Sequence, residues 1–425
     1  MLGYDSNQVV LCMEIWNEDL EEDYRRLNYL LDSPQSFTRE QLKSELGINI
    51  LPNQLPTFKL FVLNFRTNNR EAISFSYGNN PHPIARYNPH KITYSTLQGV
   101  IDKLNEAKLI KFVKGKASKY KKDRKESTAE PTAKFNKWLN NIWIEDVFTN
   151  IDTHIKLRDK NKIYDYKDTK YTDHVNKVMK RYHKKLKEWD IAIDDVSLED
   201  IHMFVNYQAV KGQVDKKGNF LIRHGGRFAS AWNNVASKER LQRLSFKNVR
   251  GELMNIDYTA CGTNALYMWE TGKFLDEDPY SQSPYYLYKD TVGVDRSPKE
   301  LRAFIKKVAT VGVNRSIKGL NDSVEGIHDA ERCLHFYCIN NQPVAHWFGK
   351  GGVIGRRAMF LESNMMLGVL DKLTKANIPS VNVYDNFIFP KKYKKQVTEI
   401  MFQERNLEWL RRLLAKDEQG QLIQP

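Results

Sequence analysis

The sequence predicts an α+β fold in which a largely helical N-terminal half precedes a half built around an antiparallel sheet. The first observation is an apolar strand, a polar turn and a second apolar strand within Val381–Pro390. The second is a helix that opens with Ser297–Glu300, a capping box with proline at its first position. The third is a run of apolar residues at helical spacing after Thr93, which suits an N-cap.

The composition indicates a polyanionic partner. The chain has 425 residues, 41% of them hydrophobic, and a net charge of +14. This length suits two or three domains, and the charge favours nucleic acid over a membrane. No run approaches the roughly 20 apolar residues that span a bilayer, and no signal peptide is evident. The alternative is a soluble basic protein without such a partner.

The cysteines predict a reducing compartment, and we expect a cytoplasmic protein. Cys12, Cys261, Cys333 and Cys338 have neither the density of a disulfide framework nor a CxxC pair. We interpret them as thiols of the core.

Changes in pattern divide the chain into four parts. Residues 1–51 predict a small helical segment. Residues 52–125 predict a nucleic-acid-binding domain with a basic linker, and residues 126–219 a basic, thumb-like helical region. Residues 220–425 carry the motifs that indicate chemistry.

The second part resembles a winged helix-turn-helix domain. A helix capped by Thr93 is followed by the strand-like segment 108–115, which ends in a basic turn. The helix would enter a groove of DNA, and Lys114 and Lys116 would contact phosphates. The basic run 114–125 predicts a flexible linker. The alternative is a winged helix that serves as a protein contact or spacer.

The third part predicts three helices, over Phe135–Phe148, Thr172–Trp189 and Leu198–Val210. The middle helix carries six basic residues, which suits a helix lying beside a nucleic-acid backbone. They are Lys177, Lys180, Arg181, Lys184, Lys185 and Lys187.

Two carboxylates stand at strand ends in the last part. Asp385 lies at the tip of the predicted hairpin, and Asp257 ends the apolar strand Leu253–Asp257. Two such groups repel each other unless cations lie between them. Phosphoryl transfer uses a pair of Mg²⁺ ions about 4 Å apart, so the pair indicates a two-metal nucleotidyltransferase, with Mn²⁺ as an alternative ion. For either Asp alone, a turn or a helix cap is the simpler interpretation.

The capped helix between these carboxylates in sequence offers a partner for triphosphate. Arg302 and Lys306 are four residues apart and share one face. An Arg and a Lys can hold phosphates, and Lys306 can protonate the departing pyrophosphate. The alternative is an ordinary amphipathic helix.

Four motifs in this order resemble the palm and fingers of family A DNA polymerases and of the related single-subunit RNA polymerases. They are Gly225–Phe228, Asp257–Gly262, Arg302–Lys307 and Tyr384–Phe387. The resemblance covers roughly residues 220–400 and is nearest to small phage and bacterial polymerase-like proteins. It implies an antiparallel palm sheet with helical fingers.

The resemblance also implies roles for individual residues. Asp257, Asp385 and the backbone carbonyl of Tyr258 would bind the metal ions. Lys307 would replace Lys306 as a triphosphate ligand if the alignment with the family A DNA polymerases shifts by one residue. Gly262 would lie in the nucleotide-binding site.

Further residues of the resemblance concern the nucleic-acid strands. Gly226 would admit close approach of a strand, and Arg227 would contact template or product. Arg356 and Arg357 begin a long predicted helix and would line the duplex.

Several positions depart from the family pattern. Family DNA polymerases carry Glu where this chain has Gly262, and that Glu blocks a ribose 2′-hydroxyl. Asn314 replaces the Tyr that closes on the sugar. Tyr384 and Asn386 replace the usual neighbours of the second Asp. These departures imply relaxed sugar choice that leans toward ribonucleotides.

The sequence therefore predicts a template-directed nucleotidyltransferase that acts on nucleoside triphosphates, with a DNA template and possibly an RNA product. One alternative is a DNA-binding replication or regulatory protein with an inactive palm, which the substitutions around Asp385 favour. Another is template-independent tailing of nucleic acid or protein.

Overall fold

A computed structural model describes most of the chain, which folds as two compact units. The first comprises Met1–Thr153 with Leu198–His202, and the second comprises His154–Ser197 with Met203–Pro425. None of the described helices is long and apolar enough to cross a membrane. The described residues are 25–26, 37–67, 72–75, 86, 88, 90–116, 126–141, 153–159, 162–197, 203–211, 213–214, 218–275, 277–281, 297–318, 320–324, 329–351, 353–405, 407 and 410.

Within its described residues, the first unit has four α-helices and one small sheet. The strand order is β1-β2-β4-β3, with β1 and β2 parallel and the other pairs antiparallel. Its elements are α1 (Arg39–Leu46), α2 (Leu55–Thr67), α3 (Tyr94–Glu106), α4 (Ala133–Asn141), β1 (Arg25–Arg26), β2 (Ile73–Phe75), β3 (Ile110–Val113) and β4 (Ser127–Pro131).

The helix and strand expected after Thr93 are both present. The Thr93 hydroxyl accepts a hydrogen bond from the backbone N–H of Thr96 at 3.2 Å, which caps α3. Strand β3 follows directly, and Lys114 and Lys116 lie exposed after it. The rest of the predicted basic linker, residues 117–125, lies outside the described residues, as do residues 142–148 of the predicted helix that begins at Phe135.

The second unit contains the elements that carry the predicted chemistry. Its helices are α5 (Lys170–Trp189), α6 (Arg240–Arg243), α7 (Cys261–Thr271), α8 (Pro298–Gly312), α9 (Leu320–Ser323), α10 (Ala330–Asn340), α11 (Val353–Lys375) and α12 (Lys394–Gln403). Its strands are β5 (Ile155–Asp159), β6 (Lys162–Tyr164), β7 (Ile191–Ile193), β8 (Val196–Ser197), β9 (Phe204–Gln208), β10 (Gly225–Ala229), β11 (Leu244–Phe246), β12 (Leu253–Asp257), β13 (Val381–Val383) and β14 (Asn386–Pro390).

These strands form three small sheets, in the orders β10-β9-β5-β6, β11-β7-β8 and β12-β14-β13. All pairs are antiparallel except β5 with β9. The mixture of helices and mostly antiparallel sheets confirms the predicted α+β class. The hairpin within Val381–Pro390 is also confirmed, with its turn at Tyr384 and Asp385.

The helix predicted over Leu198–Val210 is wrong for residues 203–210, while residues 198–202 lie outside the described residues. Residues Phe204–Gln208 form a strand between β10 and β5, with Phe204, Val205 and Tyr207 buried. Pairing on both sides and burial of β-branched and aromatic side chains outweigh the helical spacing. The region 126–219 is therefore mixed, although α5 matches the helix predicted over Thr172–Trp189.

Helix α11 is the central helix of the second unit, and α5, α7 and β10 pack against it. Its apolar Met366, Val369 and Leu370 are buried. Arg181 of α5 forms an ion pair with Asp371 of α11, with 2.6 Å between Nη1 and Oδ1. Helix α11 therefore fixes the positions of three elements that are far from it in sequence.

Candidate active site

The two predicted carboxylates lie on adjacent strand ends. Strands β12 and β14 pair antiparallel, with Asp257 opposite Asn386. Asp385 directly precedes Asn386, and its carbonyl accepts a hydrogen bond from the backbone N–H of Tyr258 at 3.4 Å. The sheet register thus brings the ends that carry Asp257 and Asp385 together.

The backbone around this edge is held in unusual conformations. Tyr384 has φ of 58° and Ala260 has φ of 51°, both in the left-handed region that residues with a side chain rarely adopt. Asn382 steadies the turn, because its amide Nδ2 donates to the Tyr384 carbonyl at 3.0 Å. Trp232 in turn donates to the Asn382 carbonyl at 2.7 Å. Such conformations cluster at functional sites, where the surrounding structure fixes them.

The electrostatics show that charges of both signs converge on Asp385. Burial raises the pKa of this carboxyl, and the negative charge of Asp257 raises it further. A hydrogen bond from its own backbone and the positive charges of Lys306 and Arg227 lower the pKa. Asp257 itself is exposed. A bound cation would relieve the repulsion between the two carboxylates.

A third carboxylate, which the sequence analysis missed, belongs to Glu362 of α11. Burial, followed by the charge of Asp385, raises the pKa of Glu362 to about 7, while Arg227 acts in the opposite direction. A Cβ atom placed on Gly262 would lie 3.3 Å from Glu362 Oε2. A sequence signal did exist: Glu362, Ser363 and Asn364 are consecutive polar residues within an otherwise apolar stretch.

The donor set fits a magnesium ion. Asp257, Asp385 and the Tyr258 carbonyl would supply oxygen atoms, the ligands that Mg²⁺ and Mn²⁺ prefer. The Tyr258 hydroxyl donates to the Met401 carbonyl at 2.6 Å, which fixes this residue. Among the described residues, no three His, Cys, Asp or Glu side chains form a metal-binding group. Mg²⁺ usually completes its shell with water and substrate phosphates, so two carboxylates suffice.

The capped helix α8 supplies the cationic residues. The Ser297 N–H donates to Glu300 Oε2 at 2.9 Å, and the Glu300 N–H donates to the Ser297 hydroxyl at 3.4 Å, so the predicted capping box is confirmed. Lys306 and Lys307 are exposed. Of the two, only Lys306 contributes to the pKa of Asp385. Lys306 therefore lies on the side of the carboxylates.

Arg302 has a different partner. Its Nε donates to a carboxylate oxygen of Asp278, a loop residue that the sequence analysis did not single out. Its guanidinium also lies 5.8 Å from the ring centroid of Tyr280. A phosphate that binds Arg302 would therefore have to displace or share the Asp278 carboxylate.

Asn314 lies where α8 ends against α11. Its side-chain amide donates to the Thr310 carbonyl at 3.0 Å. A Cβ atom placed on Gly355 would lie 2.7 Å from Asn314 Cγ, so these two elements are in very close contact. Asn314 therefore takes part in packing at this position.

Gly226 and Arg227 lie on β10 and face different surroundings. Gly226 has φ of 107° and is the extra residue where the β10–β9 register shifts. A Cβ atom there would overlap the Ser363 hydroxyl and lie 2.9 Å from Ser363 Cβ. Arg227 is exposed, with its guanidinium 5.3 Å from the ring centroid of Tyr384. Packing explains Gly226, whereas Arg227 extends toward the carboxylates.

A cationic cluster surrounds His224. Burial lowers the pKa of His224 to about 4, and the charges of Arg357, Arg356 and Arg223 lower it further. Arg356 and Arg357 were predicted from the sequence to line a duplex, whereas Arg223, which precedes β10, was not. The three arginines lie close enough to suit a common polyanionic partner.

Comparisons with known proteins give no family. No protein-family model matches the chain, and no curated protein matches it. The function is therefore inferred from the geometry of the site.

Proposed function

We propose that the protein is a template-directed nucleotidyltransferase that adds nucleoside triphosphates to a nucleic-acid strand with two Mg²⁺ ions. The observation that supports this most strongly is the pair Asp257 and Asp385 on hydrogen-bonded strand ends, with the Lys306 charge acting on Asp385. In this proposal the β12-β14-β13 sheet is a polymerase palm and α8 is a fingers helix.

The chain's own residues would share the chemistry as follows. Asp257, Asp385 and the Tyr258 carbonyl would hold the ions, which when bound activate the attacking hydroxyl and hold the leaving phosphates. The attacking 3′-hydroxyl would lose its proton to solvent, and its oxygen would bond to the α-phosphorus as the bond to the pyrophosphate oxygen breaks. Lys306 would neutralise the departing pyrophosphate and give it a proton. Arg302 would bind the triphosphate after leaving Asp278.

The nucleic acid would be held by exposed and clustered cations. Arg227 would contact the strand next to the site, and the cluster formed by Arg223, Arg356 and Arg357 would bind backbone phosphates. Residues 52–125 would act as a winged-helix domain. The net charge of +14 supports a polyanionic partner. We also propose a cytoplasmic location, in keeping with the free thiols of Cys261, Cys333 and Cys338.

The test is incorporation of labelled nucleotides on primed and unprimed single-stranded DNA with Mg²⁺. Asp257→Asn and Asp385→Asn remove one charge each at nearly constant volume, and we expect each to abolish extension. Asp173→Asn, the same change at an exposed position of α5, is the matched control and should extend like the wild type.

Three other outcomes would contradict the proposal. Extension that persists in both site variants would exclude the two carboxylates as metal ligands. Extension without template would indicate tailing. No extension on DNA or RNA, together with tight nucleic-acid binding, would favour the regulatory protein with an inactive palm.

A further inference from the structure

Position 262 has an unexpected neighbour. Gly262 lies in the first turn of α7, five residues after Asp257, and has no side chain of its own. The space above it is nevertheless occupied, because Glu362 Oε2 lies 3.3 Å from the point where a Cβ atom would be. A residue of α11 therefore fills space that α7 leaves open.

The distance has a chemical meaning. In a glutamate side chain, two single C–C bonds and one C–O bond place the carboxylate oxygens roughly 3 to 3.7 Å from the residue's own Cβ. The Glu362 oxygen falls within that range when measured from the Cβ position of Gly262. It therefore lies as far from that position as the oxygen of a glutamate at 262 would lie.

Glu362 is held in place by its neighbours on α11. The Ser363 hydroxyl donates to the Gly225 carbonyl at 3.3 Å, and Asn364 accepts a hydrogen bond from the Tyr171 hydroxyl at 3.0 Å. These bonds tie both sides of this helical turn to other elements of the unit. Within the described residues, the Glu362 carboxylate itself forms no hydrogen bond or ion pair, so it is not committed to another structural contact.

We propose that Glu362 selects the sugar of the incoming nucleotide by occupying the space that a ribose 2′-hydroxyl would need beside Gly262. This inference rests on the proposed nucleotidyltransferase function. It predicts preference for deoxyribonucleotides, opposite to the preference that Gly262 alone implies. The selecting side chain would come from α11 instead of from the segment that follows Asp257.

The experiment measures the ratio of kcat/KM for dNTPs to that for NTPs. Glu362→Ala empties the space and should lower the ratio by about 10- to 100-fold. Glu362→Gln keeps the volume and should leave the ratio within about threefold of the wild type. Adding Gly262→Glu to Glu362→Ala should restore preference for dNTPs. Glu399→Ala, an exposed position of α12, is the control.

The outcomes separate this inference from the function on which it rests. If the wild type incorporates nucleotides and Glu362→Ala leaves the dNTP/NTP ratio of kcat/KM unchanged, the inference about Glu362 is overturned and the proposed function stands. A ratio that rises in Glu362→Ala would show that the carboxylate accepts a hydrogen bond from ribose, and would also overturn it. If the wild type incorporates neither nucleotide, the proposed function fails. Calorimetric binding of dATP and ATP to wild type and Glu362→Ala then decides the inference, because an unchanged ratio of affinities contradicts it.

Discussion

Gly226→Ala tests whether the glycine of β10 serves packing or strand contact. In the structure, a Cβ atom at this position would lie 2.9 Å from Ser363 Cβ and 3.2 Å from Tyr207 Cε1. The backbone φ of 107° is also one that an alanine adopts only with strain. We expect Gly226→Ala to destabilise the second unit even when no nucleic acid is present.

The expected cost has two parts. An unfavourable positive φ costs an alanine about 1–2 kcal/mol. Adding one carbon to a packed interface costs a further 1–3 kcal/mol or so, because the neighbours must shift. The free energy of unfolding should therefore fall by about 2–5 kcal/mol. Gly272→Ala is the control: its φ is 72°, and nothing lies within 4 Å of its Cβ position, so only the first part applies.

The assay is urea unfolding, with hydrogen exchange in the peptide that covers β10 as the readout. This signal reports the second unit. The difference in unfolding free energy between Gly226→Ala and Gly272→Ala isolates the cost of the contact with α11. If Gly226→Ala costs no more than Gly272→Ala, the close contact with Ser363 is wrong. A second check is Ser363→Gly, which should recover part of the loss in Gly226→Ala because it removes the nearest atoms.

Three further outcomes follow from the charges of the site. Mg²⁺ at 100 times its Kd should stabilise the wild type by about 2.7 kcal/mol and so raise its melting temperature. Asp257→Asn or Asp385→Asn should lose most of this stabilisation. Asp278→Asn frees Arg302 and should tighten ATP binding up to about fivefold, the value of an ion pair of about 1 kcal/mol; calorimetry that shows no change would exclude competition. The pKa of Glu362 is about 7 in the fold, compared with an ordinary value of 4.5. Between these pH values the folded protein keeps a proton on Glu362 that the unfolded chain has released. In EDTA, stability should therefore fall by about 3 kcal/mol from pH 4.5 to 7, and thermal melts of Glu362→Gln should lack most of that fall.

The parts of the fold that follow local rules were predictable from the sequence. The helix after Thr93 and the helix after Ser297 begin with side chains that satisfy their first backbone N–H groups. The hairpin within Val381–Pro390 has alternating apolar strands around a polar turn. In each case the signal lies within a few residues of the element that it specifies.

The remaining features depend on partners that are distant in sequence. The strand Phe204–Gln208 forms because β5 and β10 pair with it, which its own residues do not reveal. Glu362 and Gly262 are 100 positions apart in the chain and meet only because α7 packs on α11. Asp278 pairs with Arg302 through a loop that has no local pattern. Sequence order identified the carboxylate pair but not the residues that surround it.

Three close contacts join the separate motifs to one helix. Strand β10 meets α11 where Gly226 lies against Ser363, α7 meets it where Gly262 lies against Glu362, and α8 meets it through Gly355 of α11 itself. At Gly226 and Gly355 a Cβ atom would overlap the facing residue, whereas at Gly262 it would only press on the end of the Glu362 side chain. A displacement of α11 would therefore move the carboxylate edge, the cationic helix and the Arg227 strand together. Because cores are packed too tightly to deform gradually, substitutions at Gly226 and Gly355 should change the affinity for nucleotide and the stability of the second unit in parallel.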